Sequence, residues 1–221
     1  MQWEKVFLRM TDFLDTLQSR SDLIQQAFFE HIYLSFVALA IGVVISLPLG
    51  ILIARYRKFA EPVIGITAVI QTIPSLALFG FLVPLMGIGS NTALIALIIY
   101  ALLPILRNTY TGITSVDSSI IEAGRGMGMT KTQVLKQIEF PLALPFIMAG
   151  IRTATVLTVG IATLATFVGA GGLGDVIYRG LQSYNNSLVL AGALPVALLA
   201  IAFDLILKFV EKKATPKGMK I

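Results

Sequence analysis

The sequence predicts an all-α protein, a polytopic membrane helix bundle of about five transmembrane helices, and three observations carry that prediction. The chain has 221 residues, of which 56% are hydrophobic and 13% charged, with a mean hydropathy of +0.85. Soluble domains carry about a quarter charged residues. No acidic, basic or histidine residue occurs between Pro62 and Leu106, and a bilayer core takes about 20 apolar residues per helix. The basic residues gather in short segments between the apolar runs.

Each transmembrane helix is predicted from an apolar run that polar residues bound. The five predicted spans cover 32–54, 62–87, 91–106, 146–168 and 187–207. The second span is interrupted by the polar stretch Gln71-Thr72-Ile73-Pro74-Ser75. We expect one transmembrane domain, 1–221, with a loop at 107–145 and a basic tail at 208–221.

The segment 1–28, ahead of the first span, has an amphipathic pattern. Phe7, Met10 and Leu17 share one helical face, together with Phe13 or Leu14. This pattern suits a helix that lies on the outer membrane surface. It suits equally a helix packed against the spans, and the residues leave both alternatives open.

The basic residues predict the orientation in the membrane. Arg55, Arg57 and Lys58 follow the first span, Arg107 and further bases follow the third, and five lysines follow the fifth. Because basic loops stay in the cytoplasm, we expect the N-terminus outside and the C-terminus inside. The net charge of +5 therefore reflects orientation, and no nucleic-acid partner is expected.

The loop 107–145 contains the signals of two short helices. Ser119 to Glu122 and Thr130 to Gln133 each fit a capping box. Between them three glycines permit a sharp chain reversal, and two methionines are predicted to be exposed for contact with a partner. These residues are Gly124, Gly126, Gly128, Met127 and Met129. Pro141 and Pro145 are expected to mark the start of the fourth span.

The same loop resembles the EAA loop of binding-protein-dependent ABC importer permeases. The family pattern of EAA, three residues, Gly, nine residues and I-x-L-P is matched in spacing by Glu122, Ala123, Gly124, Gly128, Ile138 and Pro141. Gly124 stands where the family has a second alanine, and Phe140 where it has leucine. The resemblance implies a type I importer permease fold and a coupling helix that docks on a pair of ATP-binding subunits. It also implies a second permease chain, identical or related, and an extracellular substrate-binding protein.

Three further stretches resemble the osmoprotectant branch of that family. They are residues 71–77, 103–109 and 169–175, which read QTIPSLA, LPILRNT and GAGGLGD. This resemblance implies import of glycine betaine, carnitine or choline across a bacterial inner membrane. A methionine importer is the alternative. A secondary transporter is less favoured, because we find no internal repeat and only Asp204 as an acidic residue within the spans.

The chain is not expected to be an enzyme or to hold a cofactor or metal. It contains no nucleotide-binding motif with a glycine-rich loop followed by Lys-Ser/Thr, so ATP would be bound by the partner. With one histidine and no cysteine, an intramembrane enzyme lacks an obvious catalytic set. His31 is expected at the membrane interface.

Two sets of residues are candidates for roles in transport. The first, a possible translocation pathway or a helix-packing element, comprises Gln71, Thr72, Pro74 and Ser75. The second, a possible hinge or close helix contact, comprises Gly169, Gly171, Gly172 and Gly174. Arg152 and Asp204 lie near span ends, where we favour extension of each charged group to the interface over mutual pairing.

Overall fold

The computed structural model describes residues 12–215, and its regular elements are all helical. Phe7, Met10 and the end of the basic tail lie outside the described residues. Residues 12–19 form α1. The other α-helices are α2 (Ser21–Arg55), α3 (Ala60–Thr72), α4 (Ser75–Met86), α5 (Ser90–Thr114), α6 (Ser118–Gly126), α7 (Lys131–Val134), α8 (Phe140–Ala162), α9 (Leu173–Gln182) and α10 (Asn186–Ala214). Short 3₁₀ turns occupy Arg57–Phe59 and Thr163–Val168, and a π-helical turn occupies Leu135–Glu139.

Four helical segments in the described range are long and apolar enough to cross a membrane. They are Ser21–Arg55, Ser90–Thr114, Lys131–Val168 and Asn186–Ala214. The pair formed by Arg57–Thr72 and Ser75–Met86 passes the same test as one broken span. The prediction of about five spans, with an interruption in the second, is therefore confirmed.

Two helices extend beyond the predicted spans. The helix of the third span, α5, continues to Thr114, because Thr109 and Ile113 bury one face of this polar extension. Helical structure runs on from Lys131 into the fourth span. The α-helix α8 itself begins at Phe140, so Pro141 lies in its first turn, as predicted, whereas Pro145 lies farther inside it. Prolines inside membrane helices are tolerated where neighbouring groups satisfy the freed backbone, and others lie inside α2, α4, α5 and α10.

The contacts divide the chain into two compact units. The first comprises described residues 12–38 with Ile73–Ile98 and Leu157–Ala202. One of its cores packs Ala27 of α2 against Leu173 and Val176 of α9 and Leu188 of α10. A backbone hydrogen bond of 2.7 Å from Gly89 to Val168 joins the start of α5 to the end of the 3₁₀ turn.

The second unit comprises Leu39–Thr72, Ile99–Val156 and described residues 203–215. Small residues allow close helix packing here, since a Cβ built on Gly50 of α2 would lie 2.7 Å from the Cβ of Thr109. Ile113, Ala143 and Ile147 form a core between α5 and α8. This unit contains α6, α7 and the residues of the EAA-like loop.

Candidate functional site

The hairpin of α6 and α7 begins at Asp117, two residues before the predicted cap. The Asp117 carboxylate accepts a 2.8 Å hydrogen bond from the Ser119 backbone N–H. The predicted capping box of Ser119 and Glu122 is therefore wrong, since Ser119 already lies within α6. This backbone hydrogen bond lowers the pKa of Asp117 below its ordinary value. Asp117 thus caps α6 as a carboxylate at neutral pH.

The second capping box is confirmed. The Gln133 backbone N–H donates to Oγ1 of Thr130 over 3.3 Å, and the Thr130 backbone N–H donates to Oε1 of Gln133 over 2.7 Å. Two otherwise unpaired donors at the start of α7 are thereby satisfied reciprocally. The box fixes where the second arm of the hairpin begins.

The three glycines of the turn differ in what they do. Gly128 has a φ of +84°, in the left-handed region, where a side chain costs roughly 1–2 kcal/mol. Gly124 is buried within α6, where an added Cβ would lie 2.5 Å from Cδ1 of Ile138 and 3.2 Å from Sδ of Met129. Gly126 is helical, and a Cβ there would meet open space. Only Gly128 provides the reversal, while Gly124 provides close packing.

The outward face of the hairpin carries part of the family pattern. Glu122 and Ala123 are exposed, and Met127 is 77% exposed. Met129, predicted to be exposed, is half-buried instead because its sulfur packs over Gly124. Ile138 and Pro141 are half-buried on the inner side. The arrangement leaves a small mixed surface of one carboxylate and apolar groups, available to another protein.

An ion pair that the sequence did not suggest lies beneath this hairpin. Arg55, the last residue of α2, donates from Nη2 to Oε2 of Glu139 over 2.5 Å and from Nη1 to Oε1 over 3.2 Å. Glu139 is only 4% exposed and ends the π-helical turn. The pair lines a cleft of about 440 Å³ together with Arg57 and Arg125. The position of Glu139, an acidic residue directly before the apolar helix α8, could have suggested from the sequence that it has a basic partner.

The QTIPS residues form the break between α3 and α4. Nε2 of Gln71 donates to the Tyr100 carbonyl over 3.4 Å, and Oγ1 of Thr72 donates to the Val69 carbonyl over 2.6 Å. Pro74 precedes the first residue of α4, Ser75. The Gln71 hydrogen bond joins α3 to α5, whereas the Thr72 hydrogen bond lies within α3. A role of this stretch in a translocation pathway stays a prediction.

The glycine segment forms the tight connection into α9. Gly169, Gly171 and Gly172 have φ values of +68°, +75° and +84°. Gly174, in the first turn of α9, lies so close to Thr163 that an added Cβ would overlap its carbonyl oxygen. Gly174 therefore packs closely against the start of the 3₁₀ turn. A role of the segment as a hinge or helix contact in transport stays a prediction.

The preference for separate, interface-reaching charges at Arg152 and Asp204 is wrong. Arg152 pairs with Asp204 through bonds of 2.8 and 3.2 Å, and with Glu211 over 3.2 Å, because α8 and α10 bring these groups together. His31 is completely buried within the protein, where the glycine segment covers it, and its place at the membrane interface stays a prediction. Its Nε2 lies 3.1 Å from the Val159 carbonyl.

Among residues 12–215, no group of three His, Asp or Glu side chains is placed to hold a metal ion.

Comparison with known proteins decides the family. Residues 46–216 match the family of binding-protein-dependent transport system inner membrane components. The chain belongs to this family. It is 48% identical over 191 residues, 86% of the chain and 88% of the relative, to the glycine betaine/carnitine/choline transport system permease protein OpuCB of Bacillus subtilis. It is also 48% identical over 204 residues, 92% of each chain, to the carnitine transport permease protein OpuCD of Listeria monocytogenes.

A solved structure confirms the type I importer permease fold. A chain of the MetNI methionine ABC transporter in an inward facing conformation superimposes with a TM-score of 0.82. The match covers 90% of this chain and 99% of that one at 24% identity. The resemblance drawn from the EAA-like loop is thus confirmed, and this family member is a multi-pass inner-membrane protein.

Proposed function

We propose that the chain is a permease subunit of an ATP-driven importer of quaternary ammonium compatible solutes such as glycine betaine, carnitine or choline. The proposal rests on one observation. The chain is 48% identical, over at least 86% of its length, to two permeases that are named for the transport of these solutes. The matched regions cover 86% and 92% of this chain, so the similarity to these two permeases extends well beyond the EAA-like loop.

In this proposal the α6–α7 hairpin is the element that docks on the ATP-binding subunits. Its support is the exposed outer face of Glu122, Ala123 and Met127, on a short hairpin fixed by two caps and one left-handed glycine. A rigid polar hairpin transmits displacement better than a mobile loop. Hydrolysis of ATP takes place in the partner, and this chain forms half of the pathway.

The assembly we propose has two permease chains, two ATP-binding subunits and an extracellular substrate-binding protein. Each chain offers one docking hairpin, so a pair of ATP-binding subunits requires two chains. The N-terminus lies outside, and the hairpin and the C-terminus lie in the cytoplasm, as the distribution of basic residues favours.

Reconstitution of the complete importer tests the substrate class. The complex in proteoliposomes, with its binding protein, should hydrolyse ATP faster and accumulate solute when glycine betaine, carnitine or choline is added. Stimulation by methionine alone would support the alternative and overturn the quaternary ammonium assignment. Uptake driven by an ion gradient without ATP would overturn the ATP-driven mechanism.

Two matched glycine variants test the docking role. Gly126→Leu and Gly128→Leu both place a side chain in open space on the hairpin, but only Gly128 has a positive φ. We expect Gly128→Leu to lower copurification of the ATP-binding subunit or to separate hydrolysis from transport, with the membrane spans still folded. Glu122→Ala should also impair transport, although Glu122 is not a helix cap. Wild-type transport by Gly128→Leu with full ATPase content would remove the hairpin as coupling element.

A further inference from the structure

A cleft of about 320 Å³ in the first unit combines a carboxylate with two aromatic rings. It is lined by Phe29, Glu30, Tyr33, Leu34, Ser90 and Ala170. None of these residues was a candidate from the sequence. The combination is unusual at the end of a transmembrane helix, where charged groups normally reach bulk water.

The carboxylate of Glu30 is held in place by neutral donors. Oε2 accepts the Gly172 backbone N–H over 2.9 Å, and Oε1 accepts Nε2 of Gln26 over 2.9 Å. No ion pair of Glu30 is formed with any base in the part of the chain that the structure describes. The carboxylate is therefore held at the start of α9 by hydrogen bonds alone, without a basic partner among the described residues. The left-handed φ at Gly171 and Gly172 is what brings the N–H to it.

Two aromatic rings line the same cleft as this carboxylate. Phe29 and Tyr33 are one helical turn apart, so their side chains are neighbours on α2, and they are 68% and 56% exposed. Phe28 supports Phe29 edge to face, with 6.0 Å between ring centroids. Aromatic residues alone at a span end would be ordinary interfacial anchors. A carboxylate held by hydrogen bonds in the same cleft is not required for that purpose.

We propose that this cleft binds the quaternary ammonium head group of a solute, at the end of the permease that receives it. The inference rests on the proposed function for the solute class. A trimethylammonium group has no N–H to donate, so a protein holds it by charge and by aromatic faces. Glu30 supplies the charge and Phe29 and Tyr33 supply the faces. A site of this kind binds choline, with a net positive charge, more strongly than zwitterionic glycine betaine.

Direct binding to the reconstituted complex, without the substrate-binding protein, tests the site. Radiolabelled choline is titrated against wild type, Glu30→Gln, Phe29→Ala and Tyr33→Ala. Loss of the charge should weaken binding about tenfold, and loss of either ring about 3- to 30-fold. Phe36→Ala is the matched control, because Phe36 is 60% exposed on the same helix but does not line the cleft. It should bind choline like wild type.

A neutral analogue separates a binding role from a structural one. The compound 3,3-dimethylbutan-1-ol has the shape of choline with carbon in place of the charged nitrogen. If Glu30 acts through its charge, Glu30→Gln weakens choline binding and leaves competition by the neutral analogue unchanged. Equal weakening of both ligands would mean that Glu30 only supports the glycine segment, and the site would be rejected.

The outcomes also distinguish this inference from the proposed function. If wild type transports quaternary ammonium solutes while Glu30→Gln and both aromatic variants bind choline normally, the cleft is rejected and the function stands. If wild type neither binds nor transports these solutes, both are rejected. Selective loss of choline binding in the three cleft variants supports both.

Discussion

Replacing Arg55 with alanine is expected to destabilise the protein more than replacing its partner Glu139, although each change removes the same two hydrogen bonds. The reason is the different exposure of the two groups. Only 5% of the Glu139 side chain is accessible, against 32% for Arg55. A guanidinium that loses its partner turns toward water, whereas a carboxylate that loses its partner stays buried.

The magnitudes follow from that asymmetry. Leaving a buried charge without its partner costs about 3–5 kcal/mol, which applies to Arg55→Ala. Losing hydrogen bonds between charged groups, with the remaining group able to rehydrate, costs about 1.5–3 kcal/mol, which applies to Glu139→Ala. The expected difference is about 2 kcal/mol. At about 2–4 °C per kcal/mol for a chain of this size, the two unfolding midpoints should differ by about 4–8 °C.

Thermal unfolding of the purified protein in one detergent measures the effect. Arg57→Ala is the control for the same cleft, because Arg57 has no ion pair among the described residues. Arg179→Ala is the control for an exposed pair, with Asp175, and should cost at most about 1 kcal/mol. Equal midpoints for Arg55→Ala and Glu139→Ala, or an Arg55→Ala midpoint no lower than the controls, would refute the reasoning.

Three further outcomes are expected. Gly174→Ala should lower the unfolding midpoint, since its methyl group overlaps the Thr163 carbonyl, whereas Gly160→Ala, in open space on α8, should not; similar midpoints would contradict the close contact. In a Thr130→Cys variant, the new thiol should not react with a membrane-impermeant reagent in intact cells but should react after lysis. Labelling in intact cells would contradict the proposed orientation. Native mass spectrometry of the importer should show two permease chains, and one chain per pair of ATP-binding subunits would exclude the proposed assembly.

The transmembrane spans could be predicted from the sequence because a helix that crosses lipid needs about 20 consecutive apolar residues. The apolar runs and the break at Pro74 are properties of consecutive residues, and both are found in the structure. Helix ends were harder to predict. The segment from Arg107 to Thr114 is polar enough to resemble a loop, yet Thr109 and Ile113 bury one face of it. That burial depends on residues from α2 and α8, far away along the chain.

The charged pairs show the same limit. Arg152 and Asp204 are 52 residues apart, and nothing between them indicates that α8 and α10 lie side by side. No motif predicted the ion pair of Glu139, because its partner Arg55 lies at the end of α2, far away along the chain. In the hairpin, the Thr130 box was predictable because it needs only four consecutive residues. The cap at Asp117 was missed because Ser119 and Glu122 offered an equally good local pattern.

The uneven burial of the long helices affects which substitutions the chain can accept during evolution. In the most apolar stretch of α10 only 17% of residues are buried within the protein, against 56% in α5. Exchanges among Leu, Ile, Val and Phe at the exposed positions of α10 therefore leave the packing within this chain largely unchanged. In α5 the same exchanges alter volumes that neighbouring helices must accommodate. Relatives should thus differ freely in α10 and sparingly in α5, with both helices equally apolar.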